Sequence, residues 1–326
     1  MPELNTDRML VSLLREVCTA REVVLTSFSN DWIFCLQKND RVSYVFGYDF
    51  ELNSATAKML CKDKTATSDL LQFHRVPRVE HRIFHTPQMA AYVPITGNWD
   101  QMLAYFESCQ RDVVCKTNEG TGGRDVTRAR TPLELEAAVL QLFSKSRSLC
   151  LSPYIDIAAE YRVALLDSEV QFLYRKRRPS LQGDGRSSLR QLLLARLGGS
   201  PDFRGQLKGL VALEEMQLDF ERVPAAGEEV SMNWRHNLGQ GAVAEQLDPA
   251  DARWRPICDI AVRAARALGV TLASVDIVES QRGLHVLEIN CGIMMESLAR
   301  SGEHGRALAR GLYDRIVCRA MGLESA

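Results

Sequence analysis

Two apolar β-like runs, Leu272–Glu279 and Leu284–Ile289, are separated only by the turn at Gln281–Gly283. So short a connection returns the chain antiparallel, because a parallel partner needs a crossover of a dozen or more residues. The construction recurs. Trp32–Leu36 and Val42–Phe46 flank Lys38-Asn39-Asp40, Asp112–Thr117 and Val126–Ala129 flank a glycine-rich tip, and Tyr161–Leu166 and Val170–Lys176 flank Asp167-Ser168. Glu22–Thr26, Leu149–Ile155 and Glu229–Asn233 read as further strands. Helical spacing marks Met1–Ala20, Thr56–Phe73, Trp99–Ser108, Ser188–Ala195, Asp251–Leu268 and His304–Met321. Thr131-Pro132-Leu133-Glu134 opens another helix as N-cap, N1 proline and N3 glutamate. His74–Ile83 is expected to be extended around Pro77. Hairpins among helices, without regular βαβ alternation, exclude a doubly wound parallel sheet.

At 326 residues the chain is long enough for about two domains and a substantial core. With 46% hydrophobic and 25% charged residues it is not a disordered chain. Forty Lys and Arg against 41 Asp and Glu give a net charge of −1, which argues against coating nucleic acid or an anionic membrane. No apolar run reaches the ~18 residues of a membrane span, and MPELNTDRML lacks a signal peptide's basic start and apolar core. Nine scattered cysteines form no CxxC pair. The expectation is a soluble cytoplasmic protein with reduced thiols and neither nucleic acid nor membrane as partner.

Three separated pieces carry chemistry. The run Val113–Lys116 leads into Asn118–Gly123, a lysine followed by a glycine-rich tip that offers an ammonium and free N–H groups to phosphate, or is simply a turn. It lacks the GxxxxGK[ST] pattern of a Walker A loop. Asp276 and the pair Glu288 and Asn290 lie on neighbouring hairpin strands, and residues two apart share a face. Two carboxylates and an amide on one face suit Mg²⁺; the alternative is acidic strand ends facing water. Lys64, expected within the helix Thr56–Phe73, and Arg162 read alone as solvated surface.

Their order changes that reading. Lys64, Lys116 with its glycine loop, Tyr154–Arg162, Asp276, Glu288 and Asn290 follow the motif order of the ATP-grasp superfamily. The second half most resembles the ATP-grasp module of cyanophycin synthetase and bifunctional glutathione synthetase. The matching stretches are Glu160–Val163, Arg177-Arg178-Pro179 with Gly183-Asp184-Gly185, Val223-Pro224 with Gly227–Val230, Asn237-Leu238 with Gly239 and Gly241, Ser274–Asp276 and Glu288–Asn290. Near the start, Leu52-Asn53-Ser54 through Asp63-Lys64 is similar to the same group.

The resemblance implies an α+β ATP-grasp fold, two lobes with ATP between them. The expected division is a reduced N-terminal domain (residues 1–52), a small lobe (53–150) and a large lobe (151–326). Lys64 and Lys116 would hold phosphates, with Glu119, Gly120, Gly122 and Gly123 in the loop closing over them. Tyr154 and Ile155 would offer backbone groups to adenine, and Asp276, Glu288 and Asn290 would hold Mg²⁺. Arg162, Arg177 and Arg235 would face the transferring phosphoryl group or a substrate carboxylate. The implied activity is ATP-dependent carboxylate–amine ligation through an acyl phosphate, on an amino acid or small peptide. A small-molecule kinase and a non-catalytic nucleotide-binding subunit are the alternatives. A homodimer is expected because only about fifty residues precede Asn53. The relatives follow E-x-N with a Pro-Gly stretch; this chain has Cys291-Gly292-Ile293-Met294-Met295-Glu296, so the substrate stays open. Cys291 is a small residue in a turn or a reactive thiol, and His236 is a candidate to touch substrate. His81 and His85 suit a metal pair only on a helix.

Overall fold

The computed structural model describes residues 8–93, 98–120, 122–123, 125–198, 218–238 and 242–324. Gly239 and Gly241, and Thr121 of the glycine-rich tip, lie outside the described residues. Helix Met9–Ala20 leads into β1 (Val24–Phe28), β2 (Ile33–Lys38) and β3 (Arg41–Phe46), a three-stranded antiparallel meander. The first strand begins two residues later than expected because Glu22 takes a positive φ of 53° in the turn that ends the helix. A four-stranded sheet follows, ordered β4-β7-β5-β6 from β4 (Arg82–His85), β5 (Val113–Thr117), β6 (Thr127–Ala129) and β7 (Ser148–Pro153). Helices Asn98–Ser108 and Pro132–Phe143 cover one face of it. The second opens with the expected capping box, in which Thr131 and Glu134 satisfy each other's backbone N–H groups.

The largest sheet is antiparallel throughout. β8 (Ala159–Leu166), β9 (Glu169–Arg177), β12 (Val243–Leu247), β13 (Leu272–Ser280) and β14 (Gly283–Asn290) lie in the order β12-β9-β8-β13-β14. Between them in sequence, β10 (Ser180–Gln182) and β11 (Glu229–Ser231) make a small two-stranded sheet. The segment Pro77–Val79 runs along the free edge of β14, with Val286 N–H on Pro77 O and Val79 N–H on Val286 O, each at 2.9 Å. Among the described residues no helix is long and apolar enough to cross a membrane.

Strand alternation decides what each face of the large sheet meets. One face carries Tyr161, Val163, Leu165, Leu173, Val275, Ile277 and Ile289 against helix Arg255–Ala267 and the two helices before Pro77. The other face is split along its length. Ala164, Leu166, Phe172, Tyr174 and Leu272 pack under helices Met9–Ala20 and Glu303–Met321, in one core with Leu10, Phe50, Tyr313 and Ile316. Past that point the same face turns polar.

The single helix expected over Thr56–Phe73 is two helices, Ala55–Lys62 and Lys64–Phe73. Asp63 breaks it by adopting extended angles (φ −88°, ψ 110°) and accepting the Ala66 N–H at 2.8 Å as an N-cap. Such a cap stabilises a helix by about 1 kcal/mol. The break puts Lys64 in a first turn rather than mid-helix.

Candidate nucleotide-binding cleft

Going across β9, β8, β13 and β14, the polar half-face presents Lys176, then Glu160 and Arg162, then Asp276, then Glu288 and Asn290. Register sets the row: Glu160 is opposite Lys176, Asp276 opposite Arg162 on one side and Glu288 on the other. Asp276 is 1% exposed. Arg162 grips it with two bonds of 2.6 Å from Nε and Nη2, and the Lys176 ammonium reaches the same carboxylate at 2.7 Å. Lys176 also meets Glu160 at 2.5 Å. The buried Lys176 and the half-buried Arg162 thus face two buried carboxylates, a closed network in which no member lacks its counter-charge. Burial disfavours the Asp276 carboxylate, but Arg162 and Lys176 outweigh it and hold the group well below the usual range. Burial and Arg162 oppose the Lys176 charge, yet Asp276 and Glu160 raise it above its ordinary value.

At the end of this row Glu288 is less occupied. Its Oε1 accepts the Asn290 amide at 3.1 Å and lies 4.0 Å from Arg162. Mg²⁺ needs only one or two protein carboxylates when phosphate oxygens complete its shell. Glu288 and Asn290 fit that role directly, with Asp276 opposite Glu288 and already shared by two cations. Among the described residues no group of three or more His, Cys, Asp or Glu side chains could hold a metal ion.

The small-lobe sheet contributes the face turned away from its two helices. Lys116 on β5 alternates away from Val113 and Cys115, which enter the core, and is paired with Cys150. It is 8% exposed, and its ammonium makes no hydrogen bond or ion pair with the described residues. Burial, with Lys64 nearby, lowers its pKa, while Cys150, Glu288 and Glu160 act in the opposite sense. An ammonium this buried without a counter-ion is costly, and it feels carboxylates of the opposite sheet. Lys64 is tied to the start of the glycine tip, its Nζ reaching the carbonyls of Gly120 at 2.5 Å and Asn118 at 3.4 Å. Asn118 in turn accepts Thr65 N–H and Oγ1–H. Gly123 has a φ of +65°, and a Cβ there would come within 2.3 Å of Asn237 Nδ2. The Asn237 amide donates to Gly122 O at 2.6 Å, so a large-lobe loop touches the tip. Glu119 is held outward by Lys62 at 2.8 Å.

The connection between the lobes is Tyr154–Ile157. Tyr154 N–H is used by Asp112 O at 2.9 Å, so only the carbonyl of Tyr154 remains for a ligand, together with both backbone groups of Ile155, which bond to no described residue. The Tyr154 ring lies under the Arg128 guanidinium (3.4 Å) and edge-on to Trp234 (5.9 Å). Arg235 stacks over Trp234 and donates to Val126 O, joining the second lobe to β6's approach. His236 is 5% exposed, with Nδ1 3.7 Å from Glu160; burial, then Arg178 and Lys176, push its pKa down to about 3.

Lys64, Lys116, Arg162, Asp276, Glu288 and Asn290 are therefore brought together, with Gly120, Gly122, Gly123, Tyr154, Ile155 and Arg235 around them. Arg177 is not. One residue past Lys176, it points to the opposite sheet face and pairs with the exposed Glu245 at 2.7 Å. The residue in the cleft is Lys176, and its signal was legible: it follows the buried Phe172 and Tyr174 at period two, whereas Arg175 and Arg177 do not. Glu160 and Asn118 were likewise assigned no role from sequence. His81 precedes β4 and His85 ends it, both in extended backbone, and they form no metal pair. Cys291 is half-buried, its Sγ 3.8 Å from Ala57 O.

Two α+β lobes presenting cations and carboxylates across a hinge define an ATP-grasp fold, and the chain has it. Within that fold, residues 218–309 match the RimK-like ATP-grasp domain. The crystal structure of a bifunctional glutathione synthetase from Pasteurella multocida superposes with a TM-score of 0.55 at 17% identity, over 94% of this chain and 44% of that one. A D-alanine–D-alanine ligase from Bacillus anthracis gives 0.52 at 13% identity, over 82% and 68%. In sequence, a probable alpha-L-glutamate ligase of Pasteurella multocida (strain Pm70) is 34% identical over 83 residues, 25% of each chain. The glutathione biosynthesis bifunctional protein of Streptococcus mutans is 23% identical over 269 residues, 76% of this chain and 33% of that protein. The chain thus spans a quarter of the glutamate ligase and under half of the synthetase structure.

Proposed function

We propose that the protein is an ADP-forming carboxylate–amine ligase acting on an amino acid or small peptide. The observation that carries this reading is Lys116, a buried ammonium that meets no counter-ion among the described residues of its lobe, set across from a row of buried and half-buried charges on the other. A protein keeps such a group at a cost, and a nucleotide phosphate is the partner that would satisfy it. In this reading Lys64, Lys116 and the N–H groups of the glycine tip hold the phosphates, and the backbone of Tyr154 and Ile155 meets adenine. Glu288 and Asn290, with Asp276, would hold Mg²⁺, which neutralises phosphate charge when bound. A substrate carboxylate oxygen attacks the γ-phosphorus, the bond to ADP breaks, and an acyl phosphate forms. An amine then attacks the acyl carbon, loses a proton and expels phosphate, leaving an amide. Arg162 and Lys176, fixed by Asp276, supply positive potential at the transferring group without reorganising. Arg235 would face a substrate carboxylate, and Arg177, paired with Glu245 on the other sheet face, has no part. In this reading the lobes divide at the Tyr154–Ile157 connection, with the two helices before Pro77 packed on the large sheet although they precede the small one in sequence, and residues 1–52 belong to the N-terminal part. The reading further includes a cytoplasmic enzyme and two associated copies of the chain.

The test is ADP release from purified protein with ATP, Mg²⁺ and pools of amino acids and dipeptides, with and without hydroxylamine. Hydroxamate that requires one carboxylic acid and vanishes in an Asp276→Ala/Glu288→Ala variant is the expected result. A stable phosphorylated product formed without any amine would replace the ligase with a kinase.

A further inference from the structure

Among the described residues, the N-terminal meander has an outer face covered only at its Trp32 edge, where the Arg8 guanidinium lies over the ring at 4.7 Å. Alternation along β1, β2 and β3, with their registers, arranges it as three rows: Val24–Gln37–Val42, Thr26–Cys35–Tyr44 and Phe28–Ile33–Phe46. Trp32 extends the last row and meets Phe46 edge-on at 6.3 Å. The inner face is complete, since Phe34, Leu36 and Val45 are fully buried against the helices. The outer side chains are not: Val24 is 61% exposed, Phe28 49%, Trp32 45%, Val42 46%, Tyr44 53% and Phe46 61%. At roughly 150–250 Å² per aromatic ring, half-exposed, the four aromatics leave about 450 Å² open. The two valines bring the apolar area to on the order of 600 Å². That reaches the upper end of the roughly 300–600 Å² of a typical monomer's largest apolar patch, and with the flanking Thr26, Ile33, Cys35 and Gln37 approaches the roughly 800 Å² that one partner gives to a standard stable interface.

The charges choose the occupant. None of the nine positions carries an ionised side chain, so two copies placed face to face oppose no like charges. The rim is mixed, Arg8, Arg15, Lys38 and Arg41 against Glu22, Asp31 and Asp40, with Arg8 over Trp32 and bonded to Asp31 O, Arg15 on Asp31 and Lys38 near Glu22. A membrane-binding face would want a basic rim, and a charged protein partner a rim of one sign. We propose that this sheet face is the isologous interface of a homodimer, two meanders packing face to face as in a β-sandwich. The proposal stands independently of the ligase reading.

Light scattering on the full chain across a concentration series tests it. The expected result is twice the chain mass for the wild type, and the single-chain mass for Tyr44→Lys and, separately, Val24→Lys. Both positions are more than half exposed, so neither change should unfold the chain, and circular dichroism with thermal unfolding checks this. A wild type monomeric at every concentration overturns the proposal. So does a dimer that survives both substitutions, or a monomer that instead pellets with phosphatidylcholine vesicles.

Discussion

At the scale of single residues, the site contains two kinds of buried charge that respond oppositely to mutation. Lys116 has no partner to orphan. Lys116→Met should leave the thermal midpoint unchanged or raised, while Mg·ATP affinity in calorimetry falls at least tenfold, about 1.4 kcal/mol. Asp276 is the reverse case: Asp276→Ala leaves Arg162 and the buried Lys176 facing each other, so unfolding free energy by denaturant titration should fall by about 3–5 kcal/mol. Two buried histidines add a pH signature. Burial first, then Lys116 and Lys64, lower His81 well below its ordinary value, and His236 sits at about 3. Both are neutral when folded and take up a proton on unfolding once pH drops below ~6.5. Their contribution is complete above that pH and is lost as pH falls toward the folded values, at up to about 1.4 kcal/mol per pH unit for each. Denaturant midpoints between pH 7 and 4.5 should decline accordingly, and a His81→Gln/His236→Gln variant should show a flatter decline whatever its absolute stability. An unchanged slope would mean that one or both rings are protonated in the folded protein.

At the scale of elements, what was legible follows from which periodicities are unambiguous. The β13–β14 hairpin was readable because its two largely apolar runs are joined by a short turn, and a period of two puts Glu288 and Asn290 on one face, with Asp276 on the neighbouring strand. The basic run Arg175–Arg178 was not, since four consecutive cations erase the alternation. Only the preceding Phe172 and Tyr174 show which one turns inward, and choosing Arg177 missed the cleft by a single residue. The break at Asp63 was hidden because apolar spacing continues across it, from Ala57 and Cys61 to Leu71, while the cap is a local bond that competes with the helix. That break has a consequence. Asp63→Ala should cost about 1 kcal/mol of stability by removing the cap. It should also weaken nucleotide binding beyond that, because Lys64 and its contact with the glycine tip are positioned by the interrupted helix. Restoring the cap with Asp63→Asn should recover most of both, as read by thermal unfolding and Mg·ATP titration.

At the scale of the molecule, the charges that make the cleft belong to two sheets with separate cores, joined by polar bonds. Among the described residues Asn237 reaches the glycine tip, Arg235 reaches Val126 O, Lys64 reaches the tip from the helix beside β14, Thr65 donates to Asn118, and Lys62 pairs with Glu119. These are polar contacts rather than a shared apolar core, so the cleft lining belongs to the low-stability end of the structure. A nucleotide that engages Lys116 on one sheet and Glu288 with Asn290 on the other adds bonds where the lobes are least coupled. Amide hydrogen exchange should therefore slow on adding Mg·ATP in residues 116–123 and 233–238 together, from opposite lobes. The helices Pro132–Phe143 and Arg255–Ala267, each inside one lobe, should change little. The midpoint of unfolding should rise with ligand concentration as linkage requires, by about 2.7 kcal/mol at a hundredfold excess over Kd. Protection confined to the glycine tip, with 233–238 unaffected, would mean that nucleotide sits on the small lobe alone. The carboxylate row would then be a structural ion network rather than half of a site, and the phosphates would have to be neutralised by Lys64 and Lys116 without help from the opposite sheet.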